Sequence, residues 1–149
     1  MTKRNISWTL MIVWMAFIFY MSSKNGNDSN EMSNVVINTL RYMGIDENRT
    51  LQSILTFLVR KSAHILEYCI LAWFIFNVAK EYNNLIASSV FTLILSVLYA
   101  TTDEIHQLYI PGRSGKMTDV LIDSIGICMG VAISYFVHKR IYSRKKIKD

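Results

Sequence analysis

Charge is what this chain has least of. Asp, Glu, Lys and Arg make up 18% of its 149 residues, against about 25% in an ordinary soluble domain. Proline is nearly absent, with Pro111 alone, and six glycines are too few for a low-complexity or collagen-like chain. No internal repeat is visible, which excludes a solenoid. Cysteine is limited to Cys69 and Cys128, each inside an apolar run and without CxxC spacing. Both read as packing thiols, with neither a disulfide nor a metal clip. Acids are outnumbered by bases, 11 to 16, for a formal net charge of +5.

What is present instead is apolar surface, and it comes in blocks. They are Ile6–Met21, Ala63–Ala79, Leu85–Ala100 and Val120–Val137. With its flanks, each reaches the roughly 17–25 residues that cross a bilayer as a helix. Four such helices in so short a chain leave little polypeptide to cover them in water. The reading is a single all-α domain, a polytopic membrane protein with four transmembrane helices at about 6–22, 60–79, 85–103 and 119–138. Lys3 and Arg4 also give the first block a signal-peptide start. Its apolar run is longer than a signal core, and YMSS is a poor cleavage site, so retention is expected.

Orientation follows from Lys and Arg. Lys3, Arg4, Lys80 and the tail 139–149 place nine of them in three short segments on one side. The other side has seven spread over longer loops, with nine of the eleven acids. The positive-inside rule then puts both termini in the cytoplasm of a cell-membrane protein. The basic tail reads as an anchor near anionic lipid, and no nucleic-acid partner is expected.

The first outer loop opens with SSKNGNDSN, a polar turn. Met32, Val35, Val36, Leu40 and Met43 then fall near helical spacing, with an Asp28–Glu31 capping-box signal before them and Gly44 as a stop. A short amphipathic helix on the membrane surface, or covering the bundle, is expected there. Leu51, Ile54, Leu55 and Leu58 continue the spacing into the second block. This predicts one long helix to Ala79, or two with a bend near Arg60. The KEYNN turn makes helices two and three antiparallel neighbours. YIPGRSGK, at 109–116, is a turn by its Pro-Gly and Ser-Gly steps.

Four alternating helices impose a parity. The start of helix two, the end of helix three and the start of helix four lie on one membrane face, and the polar residues of the blocks sit at those places. Lys61, His64 and Glu67 are spaced i, i+3, i+6, with Tyr68 beside His64. Asp103 and Gln107 are i, i+4, with Glu104 next to Asp103. Asp119 and Asp123 are again i, i+4, and Arg113 lies in the turn between. Gly126 and Gly130 form a GxxxG that lets a neighbouring helix approach closely. Residues near helix ends can simply reach water, but His64, Glu67 and Asp123 lie one to two turns inside. Ionisable groups there are costly and point to function by default. The structural alternative is an ion-paired polar core, such as Arg113 with Asp123 and Lys61 with Glu67.

Three chemistries fit these residues. His64 beside Glu67 or an aspartate makes a general base whose tautomer a carboxylate fixes. His64, Glu67, Asp103, Glu104 and His106 offer oxygen and imidazole ligands to a divalent cation, though without standard metal spacing. Arg113 and Lys61 can clamp an anionic head group.

RKSAHILEY at 60–68 and DEIHQLYIPGRSGKMTDVLIDSIG at 103–126 resemble the VanZ-like family of small bacterial membrane proteins in order, spacing and position against the apolar blocks. By that resemblance Lys61, His64, Glu67, Tyr68, Asp103, Glu104, Gln107, Arg113, Asp119 and Gly126 occupy the family's characteristic polar and glycine positions. Asp123 departs from it, standing where the family usually has Asn. The resemblance implies a cell-envelope role and a contribution to resistance to teicoplanin, a lipid-bearing glycopeptide; it names no reaction.

Three functions compete. One is an envelope enzyme with His64, Glu67, Asp103 and Glu104 in catalysis, and Lys61, Tyr68, Gln107, Arg113, Asp119 and Asp123 holding a lipid-linked or amphipathic substrate. A second is a module that binds or shields a lipoglycopeptide or wall precursor without turnover. The third is an ion- or proton-coupled transporter, for which no polar path through the bundle is visible.

Overall fold

The computed structural model describes residues 2–42 and 49–146. The helices there are α1 (Lys3–Ser22), α2 (Gly26–Tyr42), α3 (Arg49–Ala79), α4 (Leu85–Gln107) and α5 (Met117–Lys146), and no strand occurs among the described residues. Four stretches are long and apolar enough to cross a membrane: Lys3–Ser22, Leu51–Ala79, Leu85–Gln107 and Met117–Arg144. At a rise of about 1.5 Å per residue, even α1 matches a hydrocarbon core about 30 Å thick.

Local chemistry sets the boundaries. Thr2 caps α1 by accepting the Asn5 N–H, and Asn84 caps α4 through the Ala87 N–H. α2 begins earlier than the Asp28–Glu31 pair suggests. Its cap is Asn25, whose Oδ1 accepts the Asp28 N–H at 2.9 Å. The cause is a long-range contact: Gly26 N donates to Pro111 O, and a Cβ on Gly26 would stand 2.2 Å from Gly112 O. Only glycine lets the start of α2 rest on the α4–α5 turn. Gly44, the expected stop of α2, lies outside the described residues. α3 is one helix from Arg49, so the segment before Arg60 and the second apolar block are continuous. α5 runs eight residues beyond 138, because HKRIYSRKK contains neither Pro nor Gly to end it.

α3 is the hub. It packs against each of the other four helices, whereas among the described residues α1 packs against α3 and α4 alone. The core is built from Tyr68, Leu71, Ala72 and Ile75 of α3 with Ile127 and Val131 of α5, Ala100 of α4, and Met11 and Ile18 of α1. The expected GxxxG contact is present, and its partner is the α3 backbone. A Cβ on Gly126 would stand 2.1 Å from Ile65 O, and one on Gly130 2.3 Å from Cys69 O. α4 contributes small buried side chains at i, i+4 and i+8, namely Ser88, Thr92 and Ser96, which likewise permit close approach. Large apolar side chains such as Ile86 and Leu121 point outward and are more than two-thirds exposed. That suits contact with lipid tails. Cys69 and Cys128 are free thiols.

The end of the bundle that holds the α3–α4 turn is tied by Trp8 Nε1 donating to Tyr82 OH at 3.3 Å. His138 lies 3.1 Å from Asn77 Oδ1 and 3.2 Å from Lys80 Nζ, stacked on Phe76. Burial pushes the Lys80 ammonium below its usual pKa, with Glu81 opposing.

Candidate functional site

At the other end, the last turn of α1, the middle of α3, the end of α4 and the start of α5 converge, as the helix parity requires. Lys61 Nζ and Asp119 Oδ1 form an ion pair at 2.6 Å, both side chains less than one-fifth exposed. One turn deeper, His64 Nδ1 faces Asp123 Oδ1 at 3.5 Å. That is an ion-pair distance at the outer limit of a hydrogen bond. Asp123 is fully buried, and neither of its oxygens has a hydrogen-bond partner among the described residues. These pairings replace the Lys61–Glu67 and Arg113–Asp123 pairs considered from the sequence. The reason is the tight α3–α5 contact at Gly126, which sets the first two turns of α5 directly against Lys61 and His64.

α4 supplies a second layer. Gln107 Nε2 donates to Asp103 Oδ2 at 3.1 Å and to Glu104 Oε1 at 3.3 Å. Glu104 Oε2 accepts the Lys116 N–H at 2.9 Å. A Cβ on Gly115 would stand 2.1 Å from Glu104 O, so this glycine lets the turn fold onto the helix end. All three α4 side chains are at most 4% exposed. Asp103 Oδ1 and Tyr68 OH are buried without a hydrogen-bond partner among the described residues. Each such group costs about 1–3 kcal/mol, a cost that a polar group of a ligand would offset.

Arg113 reaches back to the α1–α2 link. Its Nε donates to Lys24 O at 3.0 Å, and its Nη2 donates to Met21 O at 3.1 Å and to Ser29 Oγ at 2.6 Å. Burial pushes its pKa down and Arg60 adds to this, while Asp103, Glu67 and Glu104 pull it up. The group stays charged, as arginine does in proteins. It holds α2 over the site, and its Nη1 has no hydrogen-bond partner among the described residues.

Two cavities flank this cluster. One, of about 230 Å³, lies between α1, α2 and α3; Met21, Met32, Val36, Val59 and Ala63 give it apolar wall, and Ser22, Ser29, Ser33, Glu67 and Asp103 line it as well. The other, of about 490 Å³, is bounded by α3, the α4–α5 turn and the start of α5, and Lys61, Gln107 and Asp119 line it. Arg60, His64 and Arg113 line both. His64 Nδ1 is buried toward Asp123, so the Nε2 edge of the ring is the one left to face the cavities.

Seven of the ten residues singled out in the sequence therefore line a cavity: Lys61, His64, Glu67, Asp103, Gln107, Arg113 and Asp119. Tyr68, Glu104 and Asp123 stand behind them. Among the described residues, no three His, Cys, Asp or Glu side chains are grouped as a metal site. His106, included in the cation set, turns to Ser23 Oγ at 3.1 Å and stacks on Phe19 of α1. Sequence reasoning overlooked Ser53 and Thr56 of α3 and Lys116 and Thr118 near α5, all on the larger cavity. The spacing 53, 56, 60, 64, 67 puts the α3 members on one face with His64, a signal present in the sequence.

Neither a curated protein nor a solved structure matches the chain. Residues 7–138, which contain the whole cluster, match the model of the VanZ/LLP1 family, and the chain belongs to that family.

Proposed function

We propose that this is a cell-envelope membrane protein whose polar end faces outward and engages an amphipathic, lipid-linked molecule, contributing to lipoglycopeptide resistance. Both termini lie in the cytoplasm, in keeping with the distribution of Lys and Arg. The observation that carries this reading is the junction of the two cavities. The smaller exposes mostly apolar wall, from Met21, Met32, Val36, Val59 and Ala63; the larger is richer in charges and hydroxyls; and they share Arg60, His64 and Arg113. A molecule with a polar head and a hydrocarbon tail fits such a pair.

Within the site, His64 is the proton-accepting group and Asp123 orients and balances it from behind. Lys61 and Arg113 set the head group. A second reading, binding without turnover, is favoured by the use of Asp103, Glu104 and Gln107 to clamp the α4–α5 turn, which is a structural task.

The test is teicoplanin susceptibility of a sensitive bacterial host carrying the wild type or His64→Ala at equal membrane abundance, with the envelope lipids compared by mass spectrometry. Loss of resistance together with loss of a lipid change supports turnover. Loss of resistance with lipids identical in all strains supports the shielding reading. Full resistance in His64→Ala would refute the site.

A further inference from the structure

We infer that the head group of this amphiphile carries a primary ammonium, seated on Glu67, Asp103 and Ser22 in the smaller cavity. This rests on the reading of the junction as a site for an amphiphile and goes on to specify the chemistry of the head.

Every charged side chain of the junction enters the balance. Lys61 and Asp119 hold each other at 2.6 Å. Glu104 accepts from Gln107 Nε2 and from the Lys116 N–H, and Lys116 supplies the opposite charge at that turn. Arg60 is already engaged by an interaction of its own. What remains is Arg113 and His64 against Glu67, Asp103 and Asp123. Even with His64 counted as imidazolium, two cations stand among three carboxylates. In a partly buried chamber an unbalanced carboxylate is costly, and one further cation closes the balance.

The hydrogen bonds point the same way. Glu67 engages its main-chain carbonyl, which accepts from Trp14 Nε1 at 3.0 Å. Its carboxylate has no hydrogen-bond or ion-pair partner among the described residues. Asp103 has Oδ2 on Gln107 and Oδ1 without a partner there. Ser22 is only 4% exposed, and its Oγ is unpartnered as well. Ser23, Ser29 and Ser33 each donate to a main-chain carbonyl; Ser22 does not, and it lines the same cavity as Glu67 and Asp103. Two carboxylates and a hydroxyl thus offer three acceptors, and a primary ammonium brings three N–H donors with the missing charge. A bare metal ion fits less well. Its bonds to oxygen are about 2.0–2.6 Å, and no three acids or imidazoles among the described residues are grouped that closely. An N–H donor reaches acceptors at about 2.7–2.9 Å. A quaternary ammonium has no N–H and calls for an aromatic cage, and no Phe, Tyr or Trp among the described residues lines this cavity. Met21, Met32 and Val36 cover the carbons next to the amine. Arg113 Nη1 is left for an acceptor oxygen beside it, a hydroxyl or carbonyl of the same head.

The experiment uses the full chain purified in detergent, with hexadecylamine, hexadecanol, hexadecyltrimethylammonium, hexadecyl phosphate and methylamine as probes. Dissociation constants are read by native mass spectrometry. Hexadecylamine is expected to bind at least about tenfold more tightly than hexadecanol or the trimethylammonium, the least that one hydrogen bond to a charged group contributes. Glu67→Gln should abolish that preference and leave hexadecanol binding unchanged. Ser22→Ala, which removes one acceptor of three, should reduce the preference several-fold; it tests the claim should Glu67→Gln fail to fold. Hexadecanol binding as tightly as hexadecylamine would mean that a proton, and not a ligand, balances the carboxylates, and would overturn the assignment. So would trimethylammonium binding as tightly as the primary amine, hexadecyl phosphate binding more tightly than it, or a preference that survives undiminished in either variant. In each of those cases amphiphile binding itself would survive. Methylamine binding as tightly as hexadecylamine, or no binding by any long-chain probe, would remove the reading underneath as well.

Discussion

Replacing Gly126 by alanine sets two known effects against each other, and the structure decides which wins. In a helix interior alanine is favoured over glycine by about 0.8–1 kcal/mol, so on propensity alone the variant should be more stable. The added Cβ, however, would stand 2.1 Å from Ile65 O and 2.9 Å from Ile65 C. Carbon and carbonyl oxygen ordinarily approach to about 3.3 Å, so the α3 and α5 backbones must separate locally by roughly 1 Å. The obstacle is main chain in the middle of a long helix, which has no rotamer to change. Overpacking of this kind costs about 1–3 kcal/mol, and a backbone obstacle places it at the upper end. The net expectation is a loss of about 2 kcal/mol, a fall in Tm of roughly 4–8 °C for a chain of this length. The assay is thermal unfolding of purified protein in one detergent, followed by tryptophan fluorescence. A Tm equal to or above wild type would refute the argument, since it would mean that propensity outweighs the contact and that the helices are not held at this distance. Because Asp123 lies one turn from Gly126, the separation should also lengthen the His64–Asp123 contact, already 3.5 Å, and reduce activity beyond the stability loss.

Further outcomes are expected. Arg113→Ala removes three hydrogen bonds that hold the α1–α2 link; amide exchange across Gly26–Tyr42 should accelerate by about 10- to 100-fold, and Arg113→Lys should not restore protection because an ammonium cannot reproduce the planar fork. A double-mutant cycle on Lys61→Met and Asp119→Asn, read from unfolding in detergent, should give a coupling of about 1 kcal/mol, since a close but partly exposed pair lies at the upper end of the surface range. Coupling indistinguishable from zero would mean the pair is not formed. Gly112→Ala places a side chain at φ +72° and should cost about 1–2 kcal/mol, measured in the same way. Cysteines introduced singly at residues 2 and 143 into a chain lacking Cys69 and Cys128 should react with a membrane-impermeant maleimide only after the cells are opened; labelling of intact cells would invert the proposed topology.

The number and type of helices were legible because a bilayer-length apolar run is a strong signal and because a charged residue inside one stands out. The convergence of Lys61, His64, Asp103, Asp119 and Asp123 at one end was legible too, since alternation of membrane helices is a topological constraint that needs no side-chain detail. The pairing was not. Lys61 meets Asp119 and not Glu67, because the choice is made by the rotation of α5 against α3, which depends on Gly126 and Gly130 touching the backbone at Ile65 and Cys69. Helical spacing within one segment carries no information about that rotation. The role of Arg113 was hidden for a similar reason: its acceptors are two main-chain carbonyls and a serine about ninety residues away. The start of α2 was misplaced by three residues because Gly26 docks on Pro111 and Gly112, a contact with no local trace.

Read along α5, the stripe 119, 123, 126, 130 is a single helix face, spaced by four, three and four residues. Its first half carries carboxylates and its second half carries no side chain at all. Both halves meet the same helix: Asp119 faces Lys61, Asp123 faces His64, Gly126 lies on Ile65 O and Gly130 on Cys69 O. The glycines bring two helices together where no water can intervene, and that closeness is what places a buried carboxylate against an imidazole a turn or two inside a membrane helix. Spread the helices, and Asp123 becomes an uncompensated buried charge, costing several kcal/mol. Remove the carboxylate, and His64 loses the partner that orients it while the glycine contact remains. Asp123→Asn is therefore expected to leave the Tm close to that of the wild type and to impair whatever proton transfer His64 performs. Gly126→Ala should lower both. Stability and activity measured on these two variants separate the packing function of the stripe from its chemistry, and equal loss of stability in both would mean that the His64–Asp123 contact is structural.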